Sequence, residues 1–263
     1  MTEPRVAVIT GAARGIGAAV AQALAADGWR LVLVDRCADD PALGYPLATR
    51  QELDATVAAC GDDLAFGVVG DVRDQAALDG AVALAVERFG GLDAAVAAAG
   101  CLAGAPAWAD DEAVWSAMIG VNLEGVWRLA RAAVPALLER PTPRQGRFVA
   151  ISSAGGTVGL PLLSAYTAAK AGVHGFVRSL AAELGPEGIT ANAVAPGATT
   201  TAMLDASAAV YGLPDNDEFA RHHLLGRMVE PAEVAAMVAW LCGSASAAVT
   251  GATLPVDAGM TAD

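Results

Sequence analysis

Residues 5–28 read RVAVITGAARGIGAAVAQALAADG. An apolar run, VAVIT, stops at Gly11; Arg14, Gly15, Ile16 and Gly17 follow, and an alanine-rich stretch continues without proline to Gly28. A short apolar run closed by glycine predicts a strand, and the alanines predict a helix, so the order is strand, tight turn, helix. Glycines in such a turn let the backbone bend sharply and approach a pyrophosphate, whose charge meets the free N–H groups and positive dipole end of the helix. The spacing is Thr10-Gly11-x-x-x-Gly15-x-Gly17 rather than the commoner G-x-G-x-x-G. The plainer alternative is a glycine-rich connection with no ligand.

A second strand, Arg30 to Val34, ends at Asp35, eighteen residues beyond Gly17, where a dinucleotide fold needs an acid for the adenosine ribose. The same carboxylate repels a 2′-phosphate, which favours NAD and makes NADP the weaker candidate. Arg36 and Arg14 oppose that preference, because either guanidinium can reach toward such a phosphate. A solvated strand-end acid is the bland reading of Asp35. Residues 37–48, CADDPALGYPLA, form a long connection without a period, and Leu43, Tyr45 and Leu47 alternate in it so that one side can bury apolar surface. Thr49 and Glu52 make a capping-box pair opening a helix to about Cys60.

Further strands are expected at Leu64–Val69, Asp93–Ala98, Gly146–Ile151, Ile189–Val194 and Thr253–Val256, and helices at Gln75–Phe89, Asp111–Leu138, Ser164–Leu184 and from Pro231. Asp71 can contact an adenine amino group, while Asp71 or Asp74 can cap the helix from Gln75. The alternation predicts a Rossmann-type, doubly wound α/β fold, a mostly parallel sheet of about seven strands in one domain over 1–263. Residues 203–228 are less apolar, carry the run DNDE and follow the sixth strand, where a substrate lid would attach.

The chemistry concentrates in residues 151–172, ISSAGGTVGLPLLSAYTAAKAG. Tyr166 and Lys170 fall four apart on one helix face, close enough for the ammonium to favour phenolate and lower the tyrosine toward the working range. Ser153, at the end of the preceding strand, can donate to a carbonyl or alcohol oxygen. Taken alone, Tyr-x-x-x-Lys more often marks a solvated helix face.

Composition narrows the classes. A net charge of −13 and a pI near 4.5 argue against nucleic acid, which requires clustered cations. No apolar run is long enough for a membrane span, and residues 1–5, MTEPR, pass directly into a strand, so no membrane association and a cytoplasmic location are expected. Cys37, Cys60, Cys101 and Cys242 are scattered without a C-x-x-C pair, and His174, His222 and His223 lack metal spacing; no metal is expected, and the adjacent histidines read as solvated.

With these motifs in order, the chain resembles the short-chain dehydrogenase/reductase family over nearly its whole length. TGAARGIG is similar to the family's cofactor turn, Gly70-Asp71-Val72 to its adenine contact, and Pro196, Gly197, Thr199 and Thr201, within APGATTT, to its nicotinamide-carboxamide segment. The resemblance implies a catalytic set of Asn122, Ser153, Tyr166 and Lys170: Tyr166 as acid/base, Lys170 on the nicotinamide ribose, Ser153 on the substrate oxygen, and Asn122 holding a water of the proton relay. The family's Asn-Asn-Ala-Gly is replaced by Ala97-Ala98-Ala99-Gly100, leaving backbone approach through Ala99 and Gly100. The segment PALGYPLATRQELDATV resembles a branch that uses the redox carrier mycofactocin and retains its nicotinamide cofactor through turnover.

The expected function is hydride transfer between NAD and a secondary alcohol or ketone. An NADPH-dependent ketoreductase, a dinucleotide-binding sensor without turnover, or a subunit serving mainly an assembly are the alternatives. Leu160, Leu162, Leu163, Met203 and Leu204 are candidate apolar walls for a medium-sized substrate. A homotetramer or homodimer is expected, with the helices around Val126 and Val173 at an interface.

Overall fold

The computed structural model describes residues 4–262. Seven strands, β1 (Val6–Thr10), β2 (Arg30–Asp35), β3 (Ala65–Val69), β4 (Ala94–Ala97), β5 (Arg147–Ile151), β6 (Thr190–Pro196) and β7 (Thr253–Val256), form one sheet in the order β3-β2-β1-β4-β5-β6-β7. Every pairing is parallel. Parallel strands need crossovers that cover both faces of the sheet, which explains why β1, β4, β5 and β6 are buried at every residue.

Strand alternation divides the core. Val6 and Val8 face α3 (Gln75–Phe89), α5 (Gly125–Leu138) and α6 (Ser164–Leu184) through Leu78, Leu129 and Val177, whereas Ala7 and Ile9 face α1 (Gly15–Ala26), α2 (Arg50–Cys60) and α9 (Pro231–Cys242) through Leu24, Leu53 and Val238. The expected capping box at Thr49 and Glu52 is present, and Pro231 stands in the first turn of α9. Two short helices, α7 (Ala202–Tyr211) and α8 (Asp217–Ala220), occupy the segment after β6.

One expectation changes. The helix predicted over Asp111–Leu138 is interrupted: α4 (Glu112–Ile119) passes into a π-helical turn at Gly120–Glu124 before α5 begins. The turn inserts one residue without breaking the apolar run. Val126 and Val173 are buried in the sheet-facing core at 2% and 0% exposure, so an interface formed by the helices around them would use other positions on those helices. Among the described residues no helix is long and apolar enough to cross a membrane.

Candidate active site

The chain runs outward from β1 to β3 and returns beside β1 as β4, so the strand order reverses between β1 and β4. Loops above the carboxyl ends of the strands part at such a reversal, and a cleft of about 1120 Å³ opens there. All the candidate catalytic and cofactor-binding residues named from sequence line it except Asn122, which lies fully buried behind it.

The glycine turn is fixed by close approach. Gly11 has φ +67° and no room for a side chain, since a Cβ would lie 2.5 Å from the Ala99 Cα; a Cβ on Gly17 would overlap the Gly11 carbonyl. Ala13 N–H donates to Asp35 Oδ2 at 3.0 Å and Cys37 N–H to Oδ1 at 3.3 Å, so the β2 acid orders the turn and faces the cleft. Neither nearby arginine is free. Arg14 donates to the Pro46 carbonyl at 2.8 Å, and Arg36 lies 2.6 Å from Asp40 and 3.3 Å from Asp71. Arg73 grips Asp71 with Nε and Nη2. Burial raises the Asp71 carboxyl, but the Arg73 hydrogen bonds outweigh it and hold the group below the usual carboxylate range. Asp74 caps α3 through the Ala76 N–H.

Ser153 follows β5, and its Oγ accepts from Gly155 N–H at 3.0 Å. Tyr166 and Lys170 occupy successive turns of α6, both buried. Lys170 Nζ donates to the Ile151 carbonyl at 2.9 Å and stands 5.7 Å from the centre of the Tyr166 ring. Burial lowers the ammonium to about 8. The phenol behaves differently from expectation: burial raises it above its ordinary value, and the Ser153 hydroxyl only partly offsets that. The raised value favours the protonated phenol at neutral pH.

Asn122 sits in the π turn and holds Cys101 by both backbone groups. Its Nδ2 donates to the Cys101 and Met118 carbonyls, each at 3.0 Å, and its Oδ1 accepts from Cys101 N–H at 3.2 Å. Gly100 faces this amide: a Cβ there would lie 3.1 Å from Asn122 Oδ1 and 3.7 Å from Lys170 Nζ. Next to Ala97 and Ala98, which replace the asparagines of the family motif, Thr10 Oγ1 accepts from Ala99 N–H at 3.3 Å and so ties β1 to the β4 loop.

Leu43, Tyr45 and Leu47 line the cleft while Gly44 and Pro46 between them are exposed, and the Tyr45 hydroxyl accepts from Leu102 N–H at 3.1 Å on the far side. The loop thus bridges the cleft. Leu160, Leu163, Met203 and Leu204 line the cleft as expected, but Leu162, at φ +62°, does not. His223 corrects the solvated reading: it is 4% exposed, its Nδ1 bonds the Arg227 carbonyl at 2.6 Å, and its Nε2 accepts from Ala198 N–H at 3.2 Å. It braces the loop after β6 from behind. An adjacent histidine pair in a polar stretch carries no sequence signal for that role.

The family model described as enoyl-(acyl carrier protein) reductase matches residues 11–261. An uncharacterised oxidoreductase of Mycobacterium tuberculosis is 42% identical, covering 98% of this chain and 96% of its own. The chain belongs to the short-chain dehydrogenase/reductase family. Among solved structures, carveol dehydrogenase of Mycobacterium avium in complex with NAD superposes with TM-score 0.93 at 36% identity, covering 100% of this chain and 99% of its own. A short-chain dehydrogenase of Mycobacterium paratuberculosis bound to NAD gives TM-score 0.90 at 34% identity, with 98% of each covered.

Proposed function

We propose that this oxidoreductase transfers a hydride between NAD and a secondary alcohol or ketone, with Tyr166 as the acid/base. The observation that carries the reading is the convergence of Ser153, Tyr166 and Lys170 in the same cleft as the glycine turn and Asp35. The turn and the N-terminus of α1 fit a pyrophosphate, and Asp35, with both arginines beside it engaged, suits an unphosphorylated ribose. The nicotinamide, when bound, supplies the hydride acceptor or donor. Thr199 and Thr201 stand to hold its carboxamide, and Lys170 its ribose. Ser153 orients the substrate oxygen, and Tyr166 gives its proton to a ketone or removes one from an alcohol. A sensor would have no use for these three groups together.

The apolar walls at Leu160, Leu163 and Met203 suit a medium-sized, largely apolar alcohol, and the structural likeness to a carveol dehydrogenase supports that class. The bridging loop supports a cofactor that stays bound through turnover; mycofactocin as the external redox partner, in the cytoplasm, is proposed from the sequence resemblance of residues 41–57 and the absence of a targeting pattern in the reading of the sequence. Replacing Tyr166 by Phe removes the proton donor and keeps the ring; turnover of cyclic secondary alcohols should fall about a thousandfold or more while NADH affinity holds within about threefold. Retention of more than about a tenth of the rate would remove Tyr166 from the acid/base role.

A further inference from the structure

A cation suited to an extra phosphate stands next to Asp35, and it is held by two acids. Arg36 lines the cleft with its Nη1 2.6 Å from Asp40 Oδ2 and its Nε 3.3 Å from Asp71 Oδ2. Asp40 is only 7% exposed, and it also takes Arg73 Nη2 at 2.9 Å on the oxygen that holds Arg36. Its other oxygen accepts from Ala42 N–H at 3.0 Å, so the backbone fixes where the carboxylate stands. Near Asp35, the two carboxylates of Asp40 and Asp71 thus share the two guanidiniums of Arg36 and Arg73. A guanidinium binds phosphate through its planar fork, and Arg36 already donates from Nη1 to Asp40 with Asp71 in ion-pair range of its Nε.

We propose that Asp40 is a specificity-determining residue for the cofactor: by locking Arg36 it withholds the cation that a 2′-phosphate needs, and so adds to the repulsion from Asp35. The inference rests on the dinucleotide reading above. In this reading Asp40 is a positioning residue acting through Arg36. Discrimination against NADPH then has two separable sources, a repulsive acid at the ribose and an arginine kept occupied, as specificity built by denial requires.

The test is a fluorescence titration of the full chain with NADH and with NADPH. Asp40→Asn should tighten NADPH by about tenfold or more and leave NADH within about threefold, while Asp40→Glu, which keeps an acid for Arg36, should hold the NADPH-to-NADH ratio near that of the unaltered protein. Adding Arg36→Gln to Asp40→Asn should erase the gain, because the gain acts through the guanidinium. If the gain survives in the double variant, mere loss of negative charge explains it and the proposal is overturned. An unchanged ratio in Asp40→Asn overturns it too. Arg36→Gln by itself leaves the buried acid in place and provides a second arm should Asp40→Asn fail to fold: NADPH affinity should stay within about threefold, and a loss of about tenfold would mean that Arg36 already reaches the phosphate and is not withheld. Binding of neither nucleotide to the unaltered protein would overturn the proposed function and this inference with it; binding of NADH with any of the contrary ratios overturns this inference alone.

Discussion

At the scale of single residues, the protonation state of Tyr166 decides how the proposed reaction should respond to pH. Burial raises Tyr166, and the nearest ammonium, Lys170, is turned to the Ile151 carbonyl and itself lowered to about 8. A donor with a raised pKa is protonated across neutral pH, whereas a base is needed as phenolate, so the two directions of the proposed reaction should differ in pH dependence. Ketone reduction should be level from about pH 6 to 8, and alcohol oxidation should climb over the same range with a slope approaching one. Measuring kcat/KM in both directions checks this, and a level oxidation profile would contradict it. Gly17→Ala belongs to the same scale: its Cβ overlaps the Gly11 carbonyl, an overpacking that costs about 1–3 kcal/mol and should weaken NADH binding through the displaced turn, as a titration would detect. That Ser153, Tyr166 and Lys170 share the cleft was legible because they lie within one short stretch, the last two at helical spacing. The lock on Arg36 was not, since it depends on where a loop of no period brings Asp40.

Elements explain what single positions do not. The stretch Asp111–Leu138 reads as one helix because a π turn adds a residue without adding a breaker, and its apolar positions continue on either side. That turn accommodates Gly125, where a Cβ would lie 2.7 Å from Val72, and it carries Asn122 to the Cys101 backbone. Asn122→Ala would leave the Cys101 N–H and carbonyl unpaired, at about 1–3 kcal/mol for each buried group. The thermal midpoint should drop by several degrees and turnover should fall more than NADH affinity, because the disturbance falls beside Gly100 and Lys170; an unchanged midpoint would mean the amide is not a clamp. The loop over residues 37–48 was legible as a length anomaly, and its alternation correctly marked Leu43, Tyr45 and Leu47 as the inward side. Its anchor at Leu102 was not, since that contact spans the cleft. Tyr45→Phe removes the anchor, a net hydrogen bond of about 0.5–1.5 kcal/mol, and should speed NADH release by roughly two- to tenfold in stopped flow. Shortening the loop to a tight turn should exceed that, and equal release rates in all three proteins would make the loop a passive cover.

For the whole molecule, the alternation of strands and helices was sufficient to read a parallel sheet, because crossovers bury both faces and leave continuous apolar strands such as VAVIT and RLVLVD. Which helix face turns outward was harder to read, because in alanine-rich helices the inward and outward residues differ little in polarity. The outward positions on α4 and α5 include Trp115 and Trp127, and on α6 the small residues Ala168, Ala171 and Gly175. Small residues permit close helix approach and exposed tryptophans supply apolar area, a combination that suits self-association by a two-fold contact. We expect a homodimer or homotetramer in which these faces meet. Covering the exposed part of Trp127 against a second copy is worth about 2 kcal/mol, roughly thirtyfold in the dissociation constant, so Trp127→Glu should move the association midpoint up by at least that factor. Sedimentation velocity across a dilution series reads both states. A monomer at micromolar concentration, or an assembly indifferent to Trp127→Glu, would place any interface elsewhere on the molecule.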